Sequence, residues 1–172
     1  MPCPSIVRTA KPEDLQEIWR LFLMSHKEQG MFPLAVEKVN WFLDRALYPE
    51  RLHQQDTGPR GVVAVIGEVG SLEGLAFVTI GEMWFSYAKH LEEFTVYVDP
   101  EHRRSNHAKA LLNWMKHEVD VTGVPLITGI ISNERTEAKC RLYGRVFQKV
   151  GEFYTYFGHK GSGMPLTVTA SS

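Results

Sequence analysis

Between Leu91 and Ile131 the chain reads strand, helix, strand, and this run limits the fold more than any other. Leu91–Val98 is rich in apolar and aromatic residues and is closed by Asp99-Pro100. From Arg104 to Asp120, residues Ala108, Leu111, Leu112, Met115 and Val119 recur at helical spacing, and Val124–Ile131 is a second apolar stretch. Two strands joined through one helix run parallel, with a right-handed crossover. Ahead of them, Gly61–Ile66 and Leu75–Ile80 flank a turn from Gly67 to Gly74, which predicts an antiparallel hairpin. A parallel pair attached to an antiparallel hairpin makes a mixed sheet, and its two apolar faces require helices on both sides.

The rest of the chain supplies those helices. Ser5–Ala10 reads as a first strand. Lys11-Pro12-Glu13-Asp14 opens a helix with proline and acids in its first turn, where the dipole favours them. Leu15, Ile18, Trp19, Phe22 and Leu23 form its apolar stripe and Gly30 stops it. A second helix is predicted from Pro33 to Leu47, with Val36, Val39, Leu43 and Leu47 on one face, and residues 48–60 form a loop. Asn133–Gln148 is the last helix, Glu152–His159 a final aromatic strand, and 161–172 a small, polar, flexible tail. A length of 172 residues suits one domain. Nineteen basic against twenty acidic residues give a net charge of −1, with no electrostatic footprint for nucleic acid or an anionic membrane. No apolar run approaches the roughly 20 residues of a membrane helix, and the first residues lack the apolar core of a signal peptide. Cys3 and Cys140 suggest neither a metal site nor a disulfide framework, so a reducing cytosol is the simplest compartment. The histidines at 26, 53, 90, 102, 117 and 159 show no ligand spacing, and no metal is expected.

The chemistry concentrates where the first parallel strand meets its helix, at Val98-Asp99-Pro100-Glu101-His102-Arg103-Arg104-Ser105-Asn106-His107-Ala108. Free N–H groups and the positive dipole end of a helix start form an anion site. Arg103 and Arg104 add charge, while Ser105 and Asn106 are small enough for a phosphate to approach the backbone. An ordinary strand-to-helix turn with solvated arginines has the same local appearance.

This segment resembles the coenzyme A loop of the GNAT superfamily of N-acetyltransferases, which carries Arg/Gln-x-x-Gly-x-Gly/Ala after a strand. Arg103 and Ala108 match; Asn106 stands at the glycine, as the residue that best tolerates positive φ, and His107 at a position usually apolar. The order of elements matches over nearly the whole chain. The resemblance implies an α/β fold with a central mixed, mostly antiparallel, twisted sheet, helices on both faces and a splayed parallel strand pair. It implies a single acyl-coenzyme A N-acyltransferase domain over residues 1–160, with acetyl-coenzyme A (acetyl-CoA) as co-substrate. Carried over residue by residue, it assigns the cofactor to Val96, Tyr97, Val98, Arg103, Arg104, Ser105, Asn106, His107 and Ala108, with a backbone N–H near Val96 meeting the oxyanion. Asn133 would hydrogen-bond the pantetheine arm or cap the following helix. Tyr143 matches the tyrosine that protonates the departing thiolate, although the Gly-Phe that usually follows is replaced by Phe147-Gln148; packing beside Phe147 is its other reading. The base that deprotonates the amine would be Glu92, the closer match by offset, or Glu93, if a bulge reverses the strand's parity. The expected partner is a small-molecule or peptide amine, entering past Met31, Phe32, Trp84, Tyr154 and Tyr156, with self-association into a homodimer left open. A non-catalytic module that binds acyl-coenzyme A or a protein partner on the same fold is the alternative.

Overall fold

The computed structural model describes residues 6–53, 56–131, 135–152 and 154. Five strands, β1 (Val7–Thr9), β2 (Gly61–Glu68), β3 (Ser71–Glu82), β4 (Lys89–Val98) and β5 (Leu126–Ile127), lie in one sheet in sequence order. The first three junctions are antiparallel, and β4 pairs with β5 in parallel through Leu91–Leu126 and Glu92–Ile127. The helices are α1 (Leu15–Gln29), α2 (Val36–Leu47), α3 (His107–Thr122) and α4 (Thr136–Tyr143).

Two apolar layers cover the two faces. Ile18 and Leu21 of α1 and Leu43 and Leu47 of α2 meet Val63, Val65, Leu75 and Phe77 on one side. On the other, Leu111, Leu112 and Met115 of α3 are fully buried and reach Ala64, Ala76, Val78 and Val98. The alternation of β2 and β3 sends successive residues to the two layers, which is why both strands read as continuous apolar runs. Gly123 ends α3 in the left-handed conformation, φ 69°, which glycine adopts without steric cost. A buried Asp14, just before α1, accepts two hydrogen bonds from Arg8 of β1, at 2.7 and 2.9 Å, and one from the Lys11 N–H at 2.8 Å. These tie the first strand to the first helix.

Several expected boundaries shift. β1 and β5 are shorter than Ser5–Ala10 and Val124–Ile131, because backbone pairing, not hydropathy, limits a strand. α2 begins at Val36, leaving Val36 itself 49% exposed, and α3 begins at His107 because Pro100–His102 forms a separate turn of 3-10 helix. α4 is confined to eight residues. Of the expected final strand Glu152–His159 only two residues, Glu152 and Tyr154, are described, and the tail 161–172, Asn133 and Tyr156 lie outside the described residues. Among the described residues no helix is long and apolar enough to cross a membrane.

Candidate active site

The site starts from an irregularity in β4. Opposite β3, Phe77 pairs with Thr95 and Val78 pairs with Glu93, so Phe94 is an extra residue in its strand. Such a bulge bends the strand and shifts the alternation by one. N-terminal to it, Glu93 turns to the α3–α4 face and Glu92 to the α1–α2 face; with regular pairing they would be reversed. The expectation that favoured Glu92 is therefore corrected. Glu92 is exposed on the far face, and Glu93 is the carboxylate that lines the cleft.

β4 and β5 pair over two residues only, then part. The resulting cleft has a volume of about 290 Å³ and runs along Glu93–Val98, past the 129–131 segment and onto α4. Among the described residues its β4 wall, beyond the two pairs at Leu91 and Glu92, is an unpaired strand edge. The Asp99 N–H donates to Glu73 O on β3 at 2.9 Å, and alternation then turns the main-chain groups of Val96 and Val98 to the open side.

At one end of the cleft, the Tyr143 hydroxyl donates to Glu93 Oε1 at 2.8 Å, and the Thr128 hydroxyl donates to Glu93 Oε2. Burial pushes the Glu93 carboxyl above the ordinary carboxylate range, opposed in part by those two hydrogen bonds. Burial and the neighbouring Glu93 carboxylate push Tyr143 well above the ordinary phenol range. Tyr143 also makes an edge contact with Phe147, 5.9 Å between ring centroids, so its packing and polar roles coexist.

At the other end lies the basic turn. Val96, Tyr97, Val98, Arg103, Ser105 and Ala108 all line the cleft. Arg103, expected to meet a phosphate, is otherwise engaged. Its Nη2 lies 2.7 Å from both Glu28 oxygens, its Nε donates to Val98 O at 3.2 Å, and it stacks on the Tyr97 ring. Tyr97 itself donates to Glu28 at 2.6 Å. Arg104 is exposed beside the start of α3 and is the open cation of the turn. Asn106 has φ −87°, so the positive φ expected of it is corrected: the turn reaches α3 without a left-handed residue there. His107 turns away from the cleft, with Nε2 2.5 Å from Glu73 and its ring stacked on His102. Of the expected aromatic border, Trp84 and Tyr154 are 94% and 84% exposed, and neither they nor Met31 and Phe32 line the cleft.

Glu28, Thr128 and Arg135 are site residues that sequence reasoning missed. Glu28 had a readable signal. Ile18, Leu21 and Ser25 are the buried residues of α1, and Glu28 continues their spacing, a charge on an inner face. Arg135 sits at the cleft mouth with φ 55°, the one non-glycine residue of positive φ among the described residues. Thr128 and Arg135 carry no such mark. Among the described residues no group of three or more His, Cys, Asp or Glu side chains is arranged to hold a metal ion.

Comparison with known proteins fits this geometry. A model of the acetyltransferase (GNAT) family matches residues 15–147. No curated protein matches the sequence. Among solved structures, the chain is similar to a predicted acetyltransferase with acetyl-CoA from Clostridium acetobutylicum (TM-score 0.64, 13% identity). It is also similar to a ribosomal-protein-alanine N-acetyltransferase from Brucella melitensis biovar Abortus 2308 (0.60, 14%) and to an aminoglycoside acetyltransferase from an uncultured soil metagenomic sample, in complex with trehalose (0.58, 14%). Each likeness covers 87% of this chain and 94% of the other.

Proposed function

Because the chain belongs to the acetyltransferase (GNAT) family, we propose that it transfers an acetyl group from acetyl-CoA to a primary amine by direct attack. The observation that carries this reading is the Thr128–Glu93–Tyr143 cluster in the wall of a cleft with an unpaired strand edge.

The cleft suits an acyl-pantetheine arm. The main-chain groups of Val96, and the Val98 N–H beside the carbonyl that Arg103 holds, face the open side and can pair with its amides as another strand would. Ser105 and Ala108 leave room beside the start of α3, where unpaired N–H groups and Arg104 favour phosphate. Arg103 shapes this wall through Glu28 and Tyr97. Acetyl-CoA supplies a thioester carbonyl, and an N–H at the open edge around Val96 is the donor for the oxygen that gains charge.

The protons then balance. The amine nitrogen bonds to the carbonyl carbon, the carbon–sulfur bond breaks, and the amine loses one proton while the thiolate gains one. Glu93 is the acceptor. Its raised affinity for protons makes it a stronger base than a solvated carboxylate. Tyr143 stays protonated at neutral pH and is the donor to sulfur. Since the two are hydrogen-bonded, the proton taken up by Glu93 can replenish Tyr143, so one pair serves both needs. The test is thiol release from acetyl-CoA with a panel of amines. Amine-dependent release supports the reading, and a folded protein that binds acetyl-CoA but releases no thiol with any amine overturns it in favour of a non-catalytic module.

A further inference from the structure

A second cavity, of about 520 Å³, lies on the opposite face of β4. Its walls are apolar: Phe22 of α1, Val39 and Phe42 of α2, Phe77 of β3 and the bulge residue Phe94. Phe94 makes edge contacts with Phe42 at 4.8 Å and with Phe77 at 5.2 Å, yet it remains 41% exposed, so its ring has a free side. The cavity and the cleft share Phe94 and Thr95. The bulge is thus the partition between them.

The two adjacent glutamates divide across that partition, Glu93 in the cleft and Glu92 in the cavity. Among the described residues Glu92 and Lys38 are the cavity's charged ones, one of each sign, and no hydrogen bond or ion pair engages the Glu92 carboxylate. A border without net charge does not select a polycation. A single free carboxylate beside aromatic walls fits one ammonium on an apolar body.

Resting on the transfer reading, we infer that this cavity seats the acceptor and that the acceptor is a primary amine on an aromatic or similarly bulky apolar body. Glu92 draws in the ammonium, which releases one proton to solvent to become the neutral attacking amine, the body fills the space among Phe22, Phe42, Phe77 and Phe94, and the nitrogen is presented at the Phe94–Thr95 partition.

The experiment measures thiol release at saturating acetyl-CoA with 2-phenylethylamine, n-propylamine, spermidine and kanamycin. The expected kcat/KM for 2-phenylethylamine exceeds that for n-propylamine by about 10-fold to 100-fold, the value of burying a phenyl ring, and also exceeds that for spermidine and kanamycin. Val39→Trp, which fills the cavity, should abolish the preference while affinity for acetyl-CoA stays unchanged. Glu92→Gln, at an exposed position where folding is not at risk, should raise KM for 2-phenylethylamine and leave that for acetyl-CoA alone. Faster turnover of the polycations, or an unaltered preference and an unaltered amine KM in the two variants, overturns the inference and leaves acetyl transfer standing. No thiol release with any amine, while acetyl-CoA binds, overturns the transfer reading and the acceptor inference with it.

Discussion

Glu93 and Tyr143 are one unit, and single substitutions should reveal it. Tyr143→Phe keeps the ring against Phe147 and removes the proton donor, so turnover should fall about 10²-fold with little change in acetyl-CoA affinity. Glu93→Gln should lower kcat/KM by about 10²-fold to 10⁴-fold. The sign of the pH dependence follows from burial. A carboxyl held above its ordinary range is a free base only at pH values above that raised pKa, so kcat/KM should fall as pH drops through it, at higher pH than for a solvated glutamate. Stopped pH profiles of wild type and Glu93→Gln check this; a wild type with no acid limb above the ordinary carboxylate range would remove Glu93 as the base. The choice between the two glutamates was not legible in the sequence. Both are strand residues one position apart, and only the extra residue at Phe94 decides which faces the cleft. Tyr143 was singled out by its match to the family's tyrosine, and its hydroxyl lies on Glu93 in the cleft. Arg103 was legible as a site residue but not in its role, since its partner Glu28 is 75 residues away.

At the scale of elements, hydropathy located the five strands and the four α-helices, because most of them turn an apolar face inward, but it missed the short 3-10 turns and did not set the ends. α3 starts at His107 because the Ser105 hydroxyl accepts the His107 N–H at 3.1 Å and donates to His102 O, a local arrangement that leaves no mark in an apolar pattern. The energetics of these elements are testable. Leu111, fully buried between α3 and the sheet, should cost about 3 kcal/mol when cut to alanine, through lost transfer energy and the cavity left behind. Asp14→Ala removes the carboxylate shared by Arg8 and the Lys11 N–H, leaving Arg8 bonded only to Gly67 O among the described residues, and should cost about 2 kcal/mol. Arg8 holds the Asp14 carboxyl below its ordinary value. That stabilisation is fully present above the unfolded-state pKa near 4 and is lost as pH falls through the lower, folded-state pKa. Denaturant titrations of the wild type and the alanine variant should therefore converge as pH falls below about 4. A constant difference between them would show that the pair is not what Asp14 contributes.

In the whole molecule the cleft is also the weakest seam. β1 to β4 form a continuous antiparallel sheet braced by α1, α2 and α3, whereas among the described residues β5 and α4 are attached through two strand pairs, the hydrogen bonds of Tyr143 and Thr128 to Glu93, and the contacts of Leu142, Tyr143 and Phe147 with the α3 layer. A ligand that lies along the unpaired edge of β4 bridges the two parts, so its binding energy adds to the cohesion of the fold. At 100 times its dissociation constant, acetyl-CoA should stabilise the native state by about 2.7 kcal/mol, which for a chain of this size raises Tm by about 5–10 °C. Amide exchange should slow most in α4 and around β5, the part with fewest bonds of its own. Arg104→Glu should shrink the Tm shift, and more at low salt than at high, because an exposed charge acts through a screened field. Protection confined to α1 and α2, with α4 unchanged, would mean that acetyl-CoA binds elsewhere and that the parted strands are only a gap.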